Sequence, residues 1–186
     1  MKQTELNKIL EEHGKWLKGE GGKRADLSGA DLRETDLRDV NLRHANLRGA
    51  DLTCSDLRDS DLRNTNLRYT CFTGANLECA DLTGSDLSYS DLSDSNLSDS
   101  NLTGVNLKRA NLKGADLDFS CMPLWCGDLK AQYDEEQMIQ QLYHLLSHVK
   151  YSDNSTDRLK ELLLKDELVV LANEFHRVGE CEEITK

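Results

Sequence analysis

The sequence predicts a mainly β chain: a continuous coil of extended segments stacked on itself, preceded by a capping helix and followed by a small α-helical module. Three observations predict it. A leucine returns every fifth residue from Leu27 to Leu117, interrupted only by Phe72, and Met122 closes the series. Two residues before each of these, the side chain is always small or β-branched, from Ala25 to Ser120. The two residues after it vary freely and include Arg, Glu, Asp, Lys and Gly, most of which are seldom buried. Neither a helix, with 3.6 residues per turn, nor a strand, with a period of 2, keeps a five-residue repeat on one face, so the repeat itself must define the architecture.

The first element spans residues 1–24. Thr4 to Lys18 predicts a helix, with Thr4 as N-cap and Gly19 as its stop. Leu6, Ile9, Leu10, His13, Trp16 and Leu17 fall on one helical stripe, which predicts that Trp16 and Leu17 lie over the first coil. Gly21 and Gly22 form the joint. A stacked coil leaves unpaired backbone at its ends, and a cap with a polar outer face blocks edge-to-edge association.

The second element spans residues 25–122. The central residue and the small one two before it both point inward, as alternate residues of an extended segment do. The residue between them is Asp or Asn almost throughout, with Cys71 and Cys121 as exceptions, and it faces solvent. The remaining two residues turn the corner. Four such segments turning roughly ninety degrees each close a square coil, and coils stack at ~4.8 Å, so about five coils make a rod on the order of 24 Å long. Chirality favours a right-handed path. Residues twenty apart then stack, so Leu32, Leu52, Phe72, Leu92 and Leu112 form one interior column, in which Phe72 takes room from neighbours such as Thr70. Gly29, Gly49, Gly74, Gly84, Gly104 and Gly114 fall at corners.

Over Ala25 to Met122, roughly half the chain, the sequence resembles the pentapeptide-repeat family, whose motif is A(D/N)LXX. The resemblance implies a right-handed quadrilateral β-helix. Some relatives in that family are rod-like DNA mimics that bind DNA gyrase through acidic faces and are typically dimers joined at a C-terminal helix. This chain differs from those relatives in its arginine-rich first coils, its lack of a projecting loop and its larger C-terminal segment.

The third element spans residues 123–186. Pro123, the only proline, cannot donate a ladder hydrogen bond and marks the end of the coil. Leu124 and Trp125 anchor a loop. Asp134 to Gln137 opens a helix whose apolar stripe holds Met138, Ile139, Leu142, Tyr143, Leu146 and Val149. Further helices are expected over about 156–164 and 166–178. Three helices exceed what a cap requires, so this module is a candidate to recruit a protein or to pair with a second copy, although a monomer is favoured.

The chain has 186 residues and a net charge of −11, which argues against nucleic acid or an anionic membrane as partner. No apolar run approaches the ~20 residues of a membrane span, and the charged N-terminus lacks the pattern of a signal peptide, so a cytoplasmic location is expected. The six cysteines are then expected to be reduced thiols, with Cys54 and Cys79 at outward, alkylation-prone positions.

No Ser-His-Asp arrangement, phosphate loop or dinucleotide fingerprint is present, so no catalytic residue and no cofactor is expected. His144 and His148 are spaced i, i+4, and Cys121, Cys126, Cys181 and His176 are further possible ligands, but none shows CxxC spacing and no metal is expected. The arginines from Arg33 to Arg68 each follow an Asp or Asn by two residues, so local pairing is expected to cancel them. From Cys71 to Leu107 there is no Lys or Arg, and Asp81, Asp86, Asp91, Asp94 and Asp99 make this stretch acidic. Together with Tyr69 and Tyr89, which stack in one outward column, they form the candidate interaction surface. The expected function is that of a non-enzymatic scaffold or protein-interaction module. The alternative is a DNA-mimic inhibitor of DNA gyrase or of another DNA-binding protein.

Overall fold

The structure, a computed structural model, describes residues 1–121. The expected closing Met122, the helical module at 123–186 and the possible ligands Cys126, His144, His148, His176 and Cys181 lie outside the described residues.

The helix α1 spans Gln3–Lys18. It starts one residue earlier than expected. The Lys2 carbonyl accepts the Glu5 and Leu6 N–H groups, so Lys2 is the N-cap and Thr4 lies inside the first turn, with no side-chain cap. Glu5 in the first turn and Lys15 and Lys18 in the last complement the helix dipole. Gly19 ends the helix at φ 73°, donating to the Trp16 carbonyl, while Glu20 donates to Lys15. At Gly22, with φ 76°, a Cβ would collide with the Glu12 carbonyl oxygen, so the return from helix to coil requires glycine.

The residues that α1 lays on the first coil differ from those expected. Leu6 and His13 are fully buried, and Ile9 and Leu10 pack against the same core. Trp16 remains 38% exposed, stacked on the His13 ring at 5.6 Å and edge-on to His44 of the first coil at 6.4 Å. Leu17 is only half-buried. The last helical turn is where the chain reverses through glycines, so its side chains fall at the rim of the coil.

His13 Nδ1 accepts the Ala25 N–H at 3.1 Å, which holds the ring neutral with its proton on Nε2. Burial pushes its pKa below the ordinary 6.5; the Arg43 backbone pulls partly back, and the charges of Arg24 and His44 push it further down. A lowered folded-state value means that the unfolded chain takes the proton first. The contribution of His13 is therefore complete above pH 6.5 and is lost as pH falls from there towards the folded-state value. In a Trp125→Phe background, Trp16 fluorescence is expected to report α1 loosening below pH 6.5, and His13→Gln is expected to remove that transition.

From Asp26 to Cys121 the backbone makes single-residue parallel bridges between positions twenty apart, Asp26 with Asn46 through Asn101 with Cys121. No longer strand forms among the described residues, because two of every five residues are used in turns. Each rung is regular: Leu27 donates to Asn46 at 2.7 Å and Asn46 donates to Ala25 at 3.0 Å. The turns close locally, as where Ala30 donates back to Leu27 at 3.1 Å. The second turn residue has positive φ at every corner, including Glu34, Tyr69, Arg109 and Phe119 as well as the glycines, while the first never does. That combination is a type II turn. With four turns per twenty residues, each coil has four faces. Face 1 holds residues 25–27 and those stacked on them, face 2 holds 30–32, face 3 holds 35–37 and face 4 holds 40–42.

The interior is filled. Every central residue from Leu32 to Leu117 is at most 1% exposed. From Ala45 to Ala115 the small positions are buried too, and their hydroxyls divide into two kinds. Ser55, Thr65, Ser90 and Ser95 donate to the carbonyl three residues before, at 2.5–2.7 Å, and Thr70, beside Phe72, donates to Leu47 instead. Ser60, Ser85 and Ser100 have buried hydroxyls with no partner. An unsatisfied buried hydroxyl costs roughly 1–3 kcal/mol. Ser60→Ala and Ser100→Ala are therefore expected to raise the urea midpoint, whereas Ser55→Ala should lower it by the equivalent of about 1 kcal/mol.

Candidate functional site

With the core filled, the surface groups of the coil decide what it can bind. The Asp or Asn of each segment has a structural task. Asp31 Oδ1 accepts the Arg33 N–H at 3.3 Å, and the same contact recurs from Ser28 on Asp26 to Asp118 on Asp116. This Asx turn pins the first corner residue and explains the residue type.

Stacking places carboxylates directly above one another at Asp31/Asp51, Asp36/Asp56 and Asp61/Asp81. An arginine bridges each pair. Arg33 Nε lies 2.8 Å from Asp31 and 3.7 Å from Asp51. Arg38 spans Asp36 and Asp56, and Arg63 spans Asp61 and Asp81. The Arg38 hydrogen bonds hold the Asp36 carboxyl down at about 2. These exposed pairs contribute little singly. Together they neutralise carboxylates that would otherwise repel across neighbouring coils.

The expected acidic residues do not form one patch. Asp81 lies on face 4, Asp86 on face 1 and Asp91 on face 2; Asp94 occupies the corner between faces 2 and 3, and Asp99 the corner between faces 3 and 4. Asp81, Asp86 and Asp91 each accept an Asx-turn hydrogen bond, and Arg63 and Arg68 reach Asp81 and Asp86 at 3.5 and 3.8 Å. A more continuous acidic line runs up the corner between faces 3 and 4, through Asp39, Asp59, Glu78 and Asp99 to the buried Asp118, with Arg38 and Arg58 the cations beside it. Cys79 sits in this line. Burial and then the carboxylates of Asp59, Asp99 and Glu78 push its thiol pKa up. Cys79 is exposed, as expected, while its raised pKa lowers the thiolate fraction on which alkylation depends. Among the described residues no group of three or more His, Cys, Asp or Glu is arranged to hold a metal ion.

Tyr69 and Tyr89 do stack, in the corner between faces 1 and 2, with ring centroids 5.1 Å apart and planes 19° from parallel. They remain 46% and 39% exposed. Arg48 and Arg68 lie 5.2 and 5.6 Å from the Tyr69 ring, and Arg109 lies 5.7 Å from the Tyr89 ring. Both tyrosines have left-handed backbone, φ 60° and 62°, which costs roughly 1–2 kcal/mol each. An aromatic pair contributes about 0.5–1.5 kcal/mol, and each exposed cation–π contact about 0.5–1. Strain and stacking nearly cancel, so the tyrosines add little net stability over the glycines that occupy Gly29 and Gly49 in the same column.

The four cations of this corner were not expected as a group. Its ten positions hold Arg48, Arg68, Lys108 and Arg109 and no carboxylate. Arg48, Lys108 and Arg109 form no ion pair among the described residues, unlike Arg33, Arg38, Arg43, Arg58 and Arg63. The reason lies on face 1, where Asn46, Asn66 and Asn106 precede Arg48, Arg68 and Lys108 in place of Asp. The signal was present in the sequence, but only when read twenty residues at a time.

No curated protein sequence matches the chain. Among solved structures, a pentapeptide repeat protein from the Arabidopsis thaliana thylakoid lumen is 27% identical, over 74% of this chain and 89% of that one, with a TM-score of 0.38. A pentapeptide repeat protein from Nostoc PCC 7120 is 27% identical over 67% of this chain and 93% of that one, with a TM-score of 0.28. HetL from Nostoc sp. strain PCC 7120, a pentapeptide repeat protein involved in heterocyst differentiation regulation, is 31% identical over 54% of this chain and 59% of that one, with a TM-score of 0.25. The family model for pentapeptide repeats matches residues 23–59, 41–78 and 80–118. The twenty-residue bridging, the four type II turns per coil and that match agree: the chain belongs to the pentapeptide-repeat family, whose fold is a right-handed β-helix.

Proposed function

We propose that this chain is a non-enzymatic interaction module: a rigid rod of about five coils, capped by α1, that presents side chains in fixed columns to a protein partner in the cytoplasm. The observation that carries this reading is the filled interior. The central side chains pack the tube completely, while ligand sites are normally concave. A rigid column of exposed groups suits recognition of another macromolecule, because little conformational entropy is lost when it docks. Photo-crosslinking residues placed at Asn64, Tyr89, Asp94 and Asp99, one on each corner, test it. The expected result is one crosslinked protein enriched at one corner, which binds the purified chain saturably in a 1:1 complex. Equal, background-level crosslinking at all four corners would overturn the reading.

The exposed acidic line from Asp39 to Asp99 supports a second reading, a DNA mimic acting on gyrase or another DNA-binding protein. A supercoiling assay separates the two, since a scaffold leaves gyrase activity unchanged at micromolar concentration.

A further inference from the structure

We propose that the corner carrying Arg48, Arg68, Tyr69, Tyr89, Lys108 and Arg109 is a docking edge for an extended acidic segment of a partner protein. This rests on the interaction-module reading and names the surface and the chemistry it recognises. In a chain of net charge −11, this corner concentrates four cations without a carboxylate, and three of them form no ion pair among the described residues. Between them lies an exposed aromatic stack, Tyr69 on Tyr89, with Arg48 over one ring and Arg109 over the other. The stack does little for the stability of the fold, and both tyrosines remain well exposed, so the stack is available for binding.

Spacing fixes the form of the ligand. Arg48 and Lys108 lie three coils apart, roughly 14 Å at ~4.8 Å per coil. An extended peptide rises ~3.4 Å per residue, so side chains at i and i+4 project to the same side roughly 14 Å apart. Carboxylates at those two positions meet the outer cations, and the residue at i+2 lies over the tyrosines. A longer polyanion such as single-stranded RNA fits less well. Its phosphates would also face Asp31, Asp51, Asp86 and Asp91 on the flanking faces, within about one Debye length.

Chemical-shift titration of the full chain tests this, using an unstructured heptapeptide with two glutamates four residues apart and a central leucine. Saturable shifts confined to residues around Tyr69 and Tyr89 are expected, weakening as salt rises from about 50 to about 500 mM. Arg48→Ser with Arg109→Ser is expected to weaken binding at least about tenfold. Tyr69→Gly with Tyr89→Gly should weaken it without lowering the melting temperature, and Arg33→Ser on another corner should leave it unchanged. The proposal is overturned if the wild type shows no saturable shifts, if the double arginine variant binds normally, or if a uridine oligonucleotide of equal charge binds more tightly. In any of these cases the interaction-module reading survives provided that crosslinking still finds a partner at another corner.

Discussion

Phe72→Ala is expected to destabilise the chain by about 3–5 kcal/mol, read as a lowered urea midpoint, while Phe72→Leu should cost less than about 1.5 kcal/mol. Phe72 is the largest fully buried side chain in the coil, midway up the column Leu32, Leu52, Phe72, Leu92 and Leu112. The cost of such a truncation depends on whether the surroundings can collapse into the space. Here they cannot move far. The Leu52 N–H donates to Cys71 at 2.7 Å and the Phe72 N–H donates to Asp91 at 2.6 Å, so rungs clamp the segment from both sides. A cavity in the middle coil also weakens the contacts between the coils above and below it, on which a solenoid depends. Leucine restores the residue type that fills the same position in four other coils, so the two variants together separate volume from aromatic character. A Phe72→Ala protein that melts within about 1 kcal/mol of wild type would mean that the interior can repack.

How much was legible beforehand depended on whether the signal was local. The coil, its filled core and its twenty-residue columns were legible because one leucine in five is a repeated local instruction, and Phe72 was placed in the correct column. The glycine corners were legible for the same reason. That Tyr69, Arg109 and Phe119 adopt the same left-handed backbone was not, because the closure of each turn and the rungs beside it impose it regardless of residue type. The helix start was misplaced at Thr4, since a good capping residue says nothing about whether Lys2 already begins the ladder. The cationic corner was missed because charge was balanced along the chain. Arg33 does pair with Asp31 two residues earlier, but Arg48 follows Asn46, and its environment is set by residues one coil away. A solenoid turns a sequence into columns, and its electrostatics are legible only down those columns.

Ala80→Leu is the second large effect, expected to cost about 1–3 kcal/mol or more and to broaden or abolish the cooperative transition. Ala80 is completely buried, stacked between Ser60 and Ser100 on face 4, and its segment also turns Leu82 inward. Two large side chains from one three-residue segment exceed what a tube of close-packed density accepts. The added carbons have no outward escape, because Asp81 bridges both Asp61 and Asn101 and fixes which residues point in. Any relief must come from breaking rungs, which takes stability from neighbouring coils as well. Ala80→Ser provides the control: serine fits this position in the coils on either side, so the transition should stay cooperative and the midpoint fall only by the cost of one buried, unpartnered hydroxyl, roughly 1–3 kcal/mol. Should Ala80→Leu instead unfold at the wild-type urea concentration with the same slope, the small position would not be packed against the core, and the filled tube on which the interaction-module reading rests would have to be abandoned.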